Sequence, residues 1–140
     1  MVTYVESTIS LSIQIVVLAL LIGALFLKSK NKYRQHGIVM FSAVVLHIVS
    51  ILAVMAPSFR AYVGPGVINF SDIWAIVTFV HVSTGLIAVL VGIWLVGSWH
   101  LKTDIKQCFR KKRFMDATLI LWLLSILLGI MLYMVIVGSI

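Results

Sequence analysis

Four stretches of this chain carry no Asp, Glu, Lys or Arg: residues 7–27, 35–59, 73–101 and 117–140. Each exceeds the roughly 20 residues that an α-helix needs to cross a hydrocarbon core about 30 Å thick. In lipid the backbone finds no water, so a spanning segment satisfies its own N–H and C=O groups as a helix or joins a closed barrel. Barrel strands alternate apolar and polar residues, and these runs do not. The sequence therefore reads as all-α: one membrane domain over residues 1–140, an integral-membrane antiparallel four-helix bundle, with helices at about 8–27, 36–56, 72–99 and 116–137. Composition agrees, with 62% of residues hydrophobic and 11% charged. In water such a chain would expose far too much apolar surface.

The expected helix ends follow from local signals. Pro57 cannot continue the second helix and restricts the residue before it. Gly64-Pro65-Gly66 reads as a turn. Ser71 or Asp72 is placed to cap the third helix, and Asp116 the fourth.

The net charge of +7 is concentrated. Lys28, Lys30, Lys32 and Arg34 sit in the first loop, and Lys102, Lys106, Arg110, Lys111, Lys112 and Arg113 in the third; only Arg60 lies elsewhere. Four alternating helices put both loops, 28–35 and 102–113, on one side. Positive loops face the cytoplasm, so both termini are expected outside, with the protein integral to the cell (cytoplasmic) membrane. This topogenic role accounts for the charge without nucleic acid. The loops are also suited to touch anionic headgroups. The opening "MVTYVEST" lacks the basic n-region of a signal peptide. The single cysteine, Cys108, excludes an internal disulfide.

Polar and small residues show which side of a membrane helix faces its neighbours. On the second helix His36, Met40, Ala43, His47 and Ser50 recur at steps of 4, 3, 4 and 3 and share one face. On the third, His81, Gly85, Ala88 and Gly92 form a second stripe. Gly85 and Gly92 leave clearance for another helix or for a flat ring. Intramembrane ionisable residues are costly and mark function by default. All four histidines, His36, His47, His81 and His100, lie in or beside these two helices. Neutral imidazole is the commonest metal ligand and a standard axial ligand of haem iron.

Depth can be counted along straight helices. His36 and His100 sit level at the inner ends of their helices and can form an axial pair. His47 and His81 come out about 12 Å apart in depth at 1.5 Å per residue. Met55 and Met134 fall near the level of His81, so a His/Met pair is an alternative for an outer site. Other chemistries lack residues. The acids Glu6, Asp72, Asp104 and Asp116 all lie outside the charge-free runs, and no cysteine pair exists for zinc or an iron–sulfur cluster. An electron carrier or assembly factor is expected rather than a hydrolase or transferase.

The segments "KYRQHGIVMFSAVV", "FVHVSTGLIAVLVGIWL" and "RKKRFMDATLILWLLSILLGIMLYMVI" resemble the small four-helix CtaM/YozB-type membrane proteins over residues 31–137. In that family a histidine opens the second helix, matching His36, and another lies near the start of the third, matching His81. A third commonly precedes the last helix, where this chain has Lys111. His47 and His100 are additions to the family pattern. The resemblance implies a part in maturing haem-A cytochrome oxidase.

The expected function is therefore a membrane haem-binding protein, similar in plan to b-type cytochromes. One or two b-type haems would be held between helices 2 and 3 through His36, His47, His81 and His100. It would carry electrons across the membrane or handle haem in oxidase assembly. The alternative is a haem-free assembly factor or accessory subunit of a respiratory complex, with a quinone or metal-handling site. The partners implied are the lipid bilayer, a respiratory or redox protein, and quinone. A second copy of the chain is also compatible.

Overall fold

A computed structural model of the protein describes residues 4–63, 72–99 and 105–138. The chain forms α1 (Tyr4–Ser29), α2 (Tyr33–Ser50), a π-helical turn (Ile51–Met55), α3 (Ala56–Val63), α4 (Ile73–Trp99), α5 (Ile105–Arg110) and α6 (Lys112–Gly138). Four stretches, Tyr4–Ser29, Tyr33–Arg60, Ile73–Ser98 and Lys112–Gly138, are long and apolar enough to cross a membrane. The protein is an all-α, integral-membrane four-helix bundle. Outward side chains such as Phe26, Leu52, Leu90, Ile120 and Leu127 are exposed, as a lipid-facing surface requires.

The turn between α1 and α2 is closed by backbone geometry. Asn31 takes a left-handed conformation (φ 58°). The Asn31 N–H donates to Lys28 O and the Lys32 N–H to Leu27 O, at 3.1 and 3.0 Å. This is the Schellman arrangement, and asparagine is among the few residues that adopt it readily. It stops α1 and sends α2 back antiparallel. At the start of α4, Asp72 Oδ1 accepts the Trp74 N–H at 3.1 Å, as an N-cap should. Ser71 and the Gly64-Pro65-Gly66 turn lie outside the described residues.

Two helix ends differ from expectation. The last helix begins at Lys112 and takes Asp116 into its interior, because "KRFMD" contains neither Gly nor Pro to break it. More consequentially, the second span passes through Pro57 instead of stopping there. The Ala56 N–H reaches back five residues to Ile51 O. This wider turn absorbs the clash that a proline ring makes with the carbonyl four residues earlier. Pro57 then sits in the first turn of α3, where a missing N–H is tolerated.

Packing pairs α1 with α2 and α4 with α6, and α1 also meets α6 while α2 meets α4. The shared core is Val17, Leu21, Ala43, Val44, Ala88, Trp122 and Ile126. The expected inward face of α2 is indeed buried at His36, Ala43, His47 and Ser50. On α4, Gly85, Ala88 and Gly92 are buried. A Cβ on Gly92 would lie 3.3 Å from Val44 Cγ2 and 3.7 Å from Trp122 Cζ3. Gly92 therefore gives clearance to side chains of α2 and α6. Gly97, on the same helix, has open space around it. Gly92→Leu should lower stability in detergent by about 1–3 kcal/mol through overpacking. Gly97→Leu should leave the thermal midpoint unchanged.

Candidate functional site

His36 donates from Nδ1 to the Ala24 carbonyl on α1 at 2.7 Å. A carbonyl can only accept, so the neutral ring carries its proton on Nδ1 and its lone pair on Nε2. The adjoining cavity is about 80 Å³, lined by Lys28, Met40, Gly92, Lys111 and Trp122 among others. That is well below the roughly 300–1,000 Å³ of ordinary ligand pockets. Lys111 bonds to Ser98 Oγ and lies 5.1 Å from the Trp94 ring centre. His100, the expected level partner of His36, lies outside the described residues.

His47 is held differently. The Trp122 indole N–H donates to His47 Nδ1 at 3.3 Å, and the two rings meet edge to face with centroids 5.2 Å apart. An indole N–H has no acceptor lone pair. His47 Nδ1 must therefore accept, which leaves the proton of the neutral ring on Nε2. Both residues are enclosed, His47 at 3% exposure and Trp122 at 0%.

His81 joins α4 to α6. Its Nδ1–H donates to the Ser125 carbonyl at 2.8 Å, and Ser125 Oγ donates back to the His81 carbonyl at 3.2 Å. Gly85 and Gly129 permit this approach. A Cβ at Gly85 would sit 2.8 Å from Ser125 Oγ, and one at Gly129 would sit 2.6 Å from Gln14 Oε1 and 3.0 Å from His81 Cε1. Gly85, expected as possible ring clearance, thus makes room for Ser125.

His47 and His81 line one cavity of about 560 Å³ at the end of the bundle opposite the basic loops. Their α6 partners, Trp122 and Ser125, are one helical turn apart, a rise of about 4.5 Å. The straight-helix count sets the two backbone positions about 12 Å apart in depth, and both side chains border this one cavity. The π-helical turn contributes Ile51, Val54 and Met55 to the wall. Met55 thus stands beside the site. Met134 is 65% exposed and turned outward from the bundle, away from this cavity.

Two buried polar atoms on the cavity residues have no partner among the described residues, Gln14 Oε1 and Ser7 Oγ. Gln14 is only 5% exposed. Such an acceptor in an apolar surround is costly unless something donates to it. Glu6 and Asp72 also line this cavity, toward its rim. Among the described residues no group of three or more His, Cys, Asp or Glu could hold a bare metal ion.

The sequence reading missed Gln14, Trp122, Ser125 and Gly129. Gln14 had a signal, being an amide inside a charge-free run. Ser125 and Gly129, four apart on one face of the last helix, had a weaker one. No family model, curated protein or solved structure matches this chain.

The Gly85–Ser125 contact is directly testable. Gly85→Ala should destabilise the bundle, because the new methyl displaces Ser125 Oγ. Adding Ser125→Ala should recover part of that loss. A thermal-unfolding double-mutant cycle should give coupling of about 0.5–3 kcal/mol.

Proposed function

We propose that this protein binds a b-type haem in the 560 Å³ cavity, with His81 supplying an axial nitrogen. The observation that carries this reading is the way His81 is presented. Its Nδ1–H is tied to a backbone carbonyl, which fixes the ring and leaves the Nε2 lone pair for a ligand bond. Metal-binding histidines are almost always oriented through their second nitrogen in this manner. The cavity volume falls within the range of cofactor pockets, and its walls are largely apolar. His36 has the same tautomer but adjoins only 80 Å³, so the reading is of one haem. When bound, the group would supply one-electron chemistry. The chain's own part is to orient the ligand through Ser125, exclude water with apolar walls, and set the local dielectric. Electron transfer with a respiratory protein, or haem handling during oxidase assembly, is the role this supports.

A second reading has its own observation. Gln14 Oε1 requires a donor, and the carboxylates Glu6 and Asp72 at the rim favour a neutral occupant over the propionates of haem. A quinol, with two hydroxyls and an apolar body, would suit those groups in an accessory subunit.

One titration separates the readings. Purified protein mixed with hemin should develop a saturable Soret band. His81→Ala should abolish it and His36→Ala should retain it. A wild-type protein that stays colourless while binding a quinol analogue would favour the second reading.

Orientation belongs to the same proposal, with the basic loops cytoplasmic and both termini outside. Cys108 is the chain's only cysteine. A membrane-impermeant maleimide should fail to label it in intact cells and should label it in inverted vesicles.

A further inference from the structure

Two imidazoles from neighbouring helices face one cavity, and the simplest expectation is that both ligate one iron. Their hydrogen bonds set them apart. His81 gives its Nδ1 proton to the Ser125 carbonyl and keeps a lone pair on Nε2. His47 receives the indole proton of Trp122 on Nδ1, so its one ring lone pair is already used and Nε2 carries the hydrogen. Ligation by His47 Nε2 would require loss of that proton, placing an imidazolate in a buried apolar site. Turning the ring over would put a carbon against the indole N–H and orphan a buried donor. Trp122 cannot easily turn away, because it is fully buried in the core that joins all four spans.

We infer that Trp122 fixes His47 as a hydrogen-bond donor to this cavity, and that His81 is its single ligating histidine among the described residues. The assignment of His47 as donor stands on these contacts alone. Its consequence rests on the haem reading above: His81 would hold the haem without a second histidine, and the bound group would then be open to a small exogenous ligand, such as a diatomic gas, with His47 as the donor toward it. Met55 is the other soft donor on the wall, and it is the competitor for that position.

The donor assignment is read without haem. In detergent-solubilised protein with ¹⁵N-labelled histidine, the ring nitrogens should show His47 protonated on Nε2 and His81 on Nδ1. Trp122→Phe should release His47 from that state. Finding wild-type His47 protonated on Nδ1 would overturn the inference whatever the haem result.

The haem-loaded protein tests the consequence. Reduced wild type should bind carbon monoxide with a shift of the Soret band, and Met55→Leu should leave that shift unchanged. His47→Leu should keep the Soret band but lose about tenfold in oxygen affinity, roughly the worth of one buried hydrogen bond. His47→Gln, which restores an N–H donor, should recover part of it. Trp122→Phe should move the haem toward a low-spin bis-histidine EPR signal and suppress carbon monoxide binding. If Trp122→Phe fails to fold, the wild-type nitrogen shifts and the Leu/Gln pair at His47 still decide. A wild-type bis-histidine signal that disappears in His47→Ala would sink the proposal. Failure to bind hemin at all would refute the haem reading and its gas-ligand consequence, while the nitrogen shifts would still stand or fall separately.

Discussion

The paired contacts between His81 and Ser125 set how α4 meets α6, and the cavity depends on that meeting. Each residue donates to the other's backbone carbonyl, while Gly85 and Gly129 keep the two helices close enough to do so. Hydrogen bonds between membrane helices average only about 0.6 kcal/mol. Their effect here is chiefly geometric. A helix face coated with aliphatic side chains has no preferred register against lipid or against another such face. Two carbonyls that each accept from the opposite helix do select one. Once that register is fixed, His81 lies beside Gly129, and Gln14 of α1 packs against the same glycine.

The second requirement for a cavity is that α2 should not close over it, and Pro57 has a part in this. A proline in mid-helix must lose a backbone bond and displace the preceding turn. The chain resolves the conflict with a π-helical turn at Ile51–Met55, and three of its five residues line the cavity. π-turns inside α-helices occur often at functional sites. The residue that looked in sequence like the end of a span instead shapes the wall of the candidate site.

What could be read in the sequence divides along the same physical lines. The charge-free runs identified all four spans, because the length needed to cross lipid and the cost of bare backbone leave few alternatives. The 4-3 spacing of His36, Met40, Ala43, His47 and Ser50 identified the inward face of α2, buried at all but Met40, because imidazole and hydroxyl groups have no partners in lipid. The histidines were visible as residues, but their roles were not. Those are set by partners 44 and 75 residues away, on a helix whose own polar groups, Ser125 and the Trp122 indole, look ordinary in isolation.

Comparison of the three described imidazoles shows why residue type alone does not define a site. His36 and His81 have the same carbonyl-fixed tautomer, with a lone pair on Nε2. The first adjoins about 80 Å³ and the second about 560 Å³. The shared tautomer leaves each a lone pair on Nε2, and space separates them. His47 shares the larger cavity with His81 but has the opposite tautomer, so there space is common and hydrogen bonding separates the pair. A ligating nitrogen needs a second nitrogen that donates and room in front of it. Among the described residues His81 alone combines a donating Nδ1 with a place on the wall of the larger cavity.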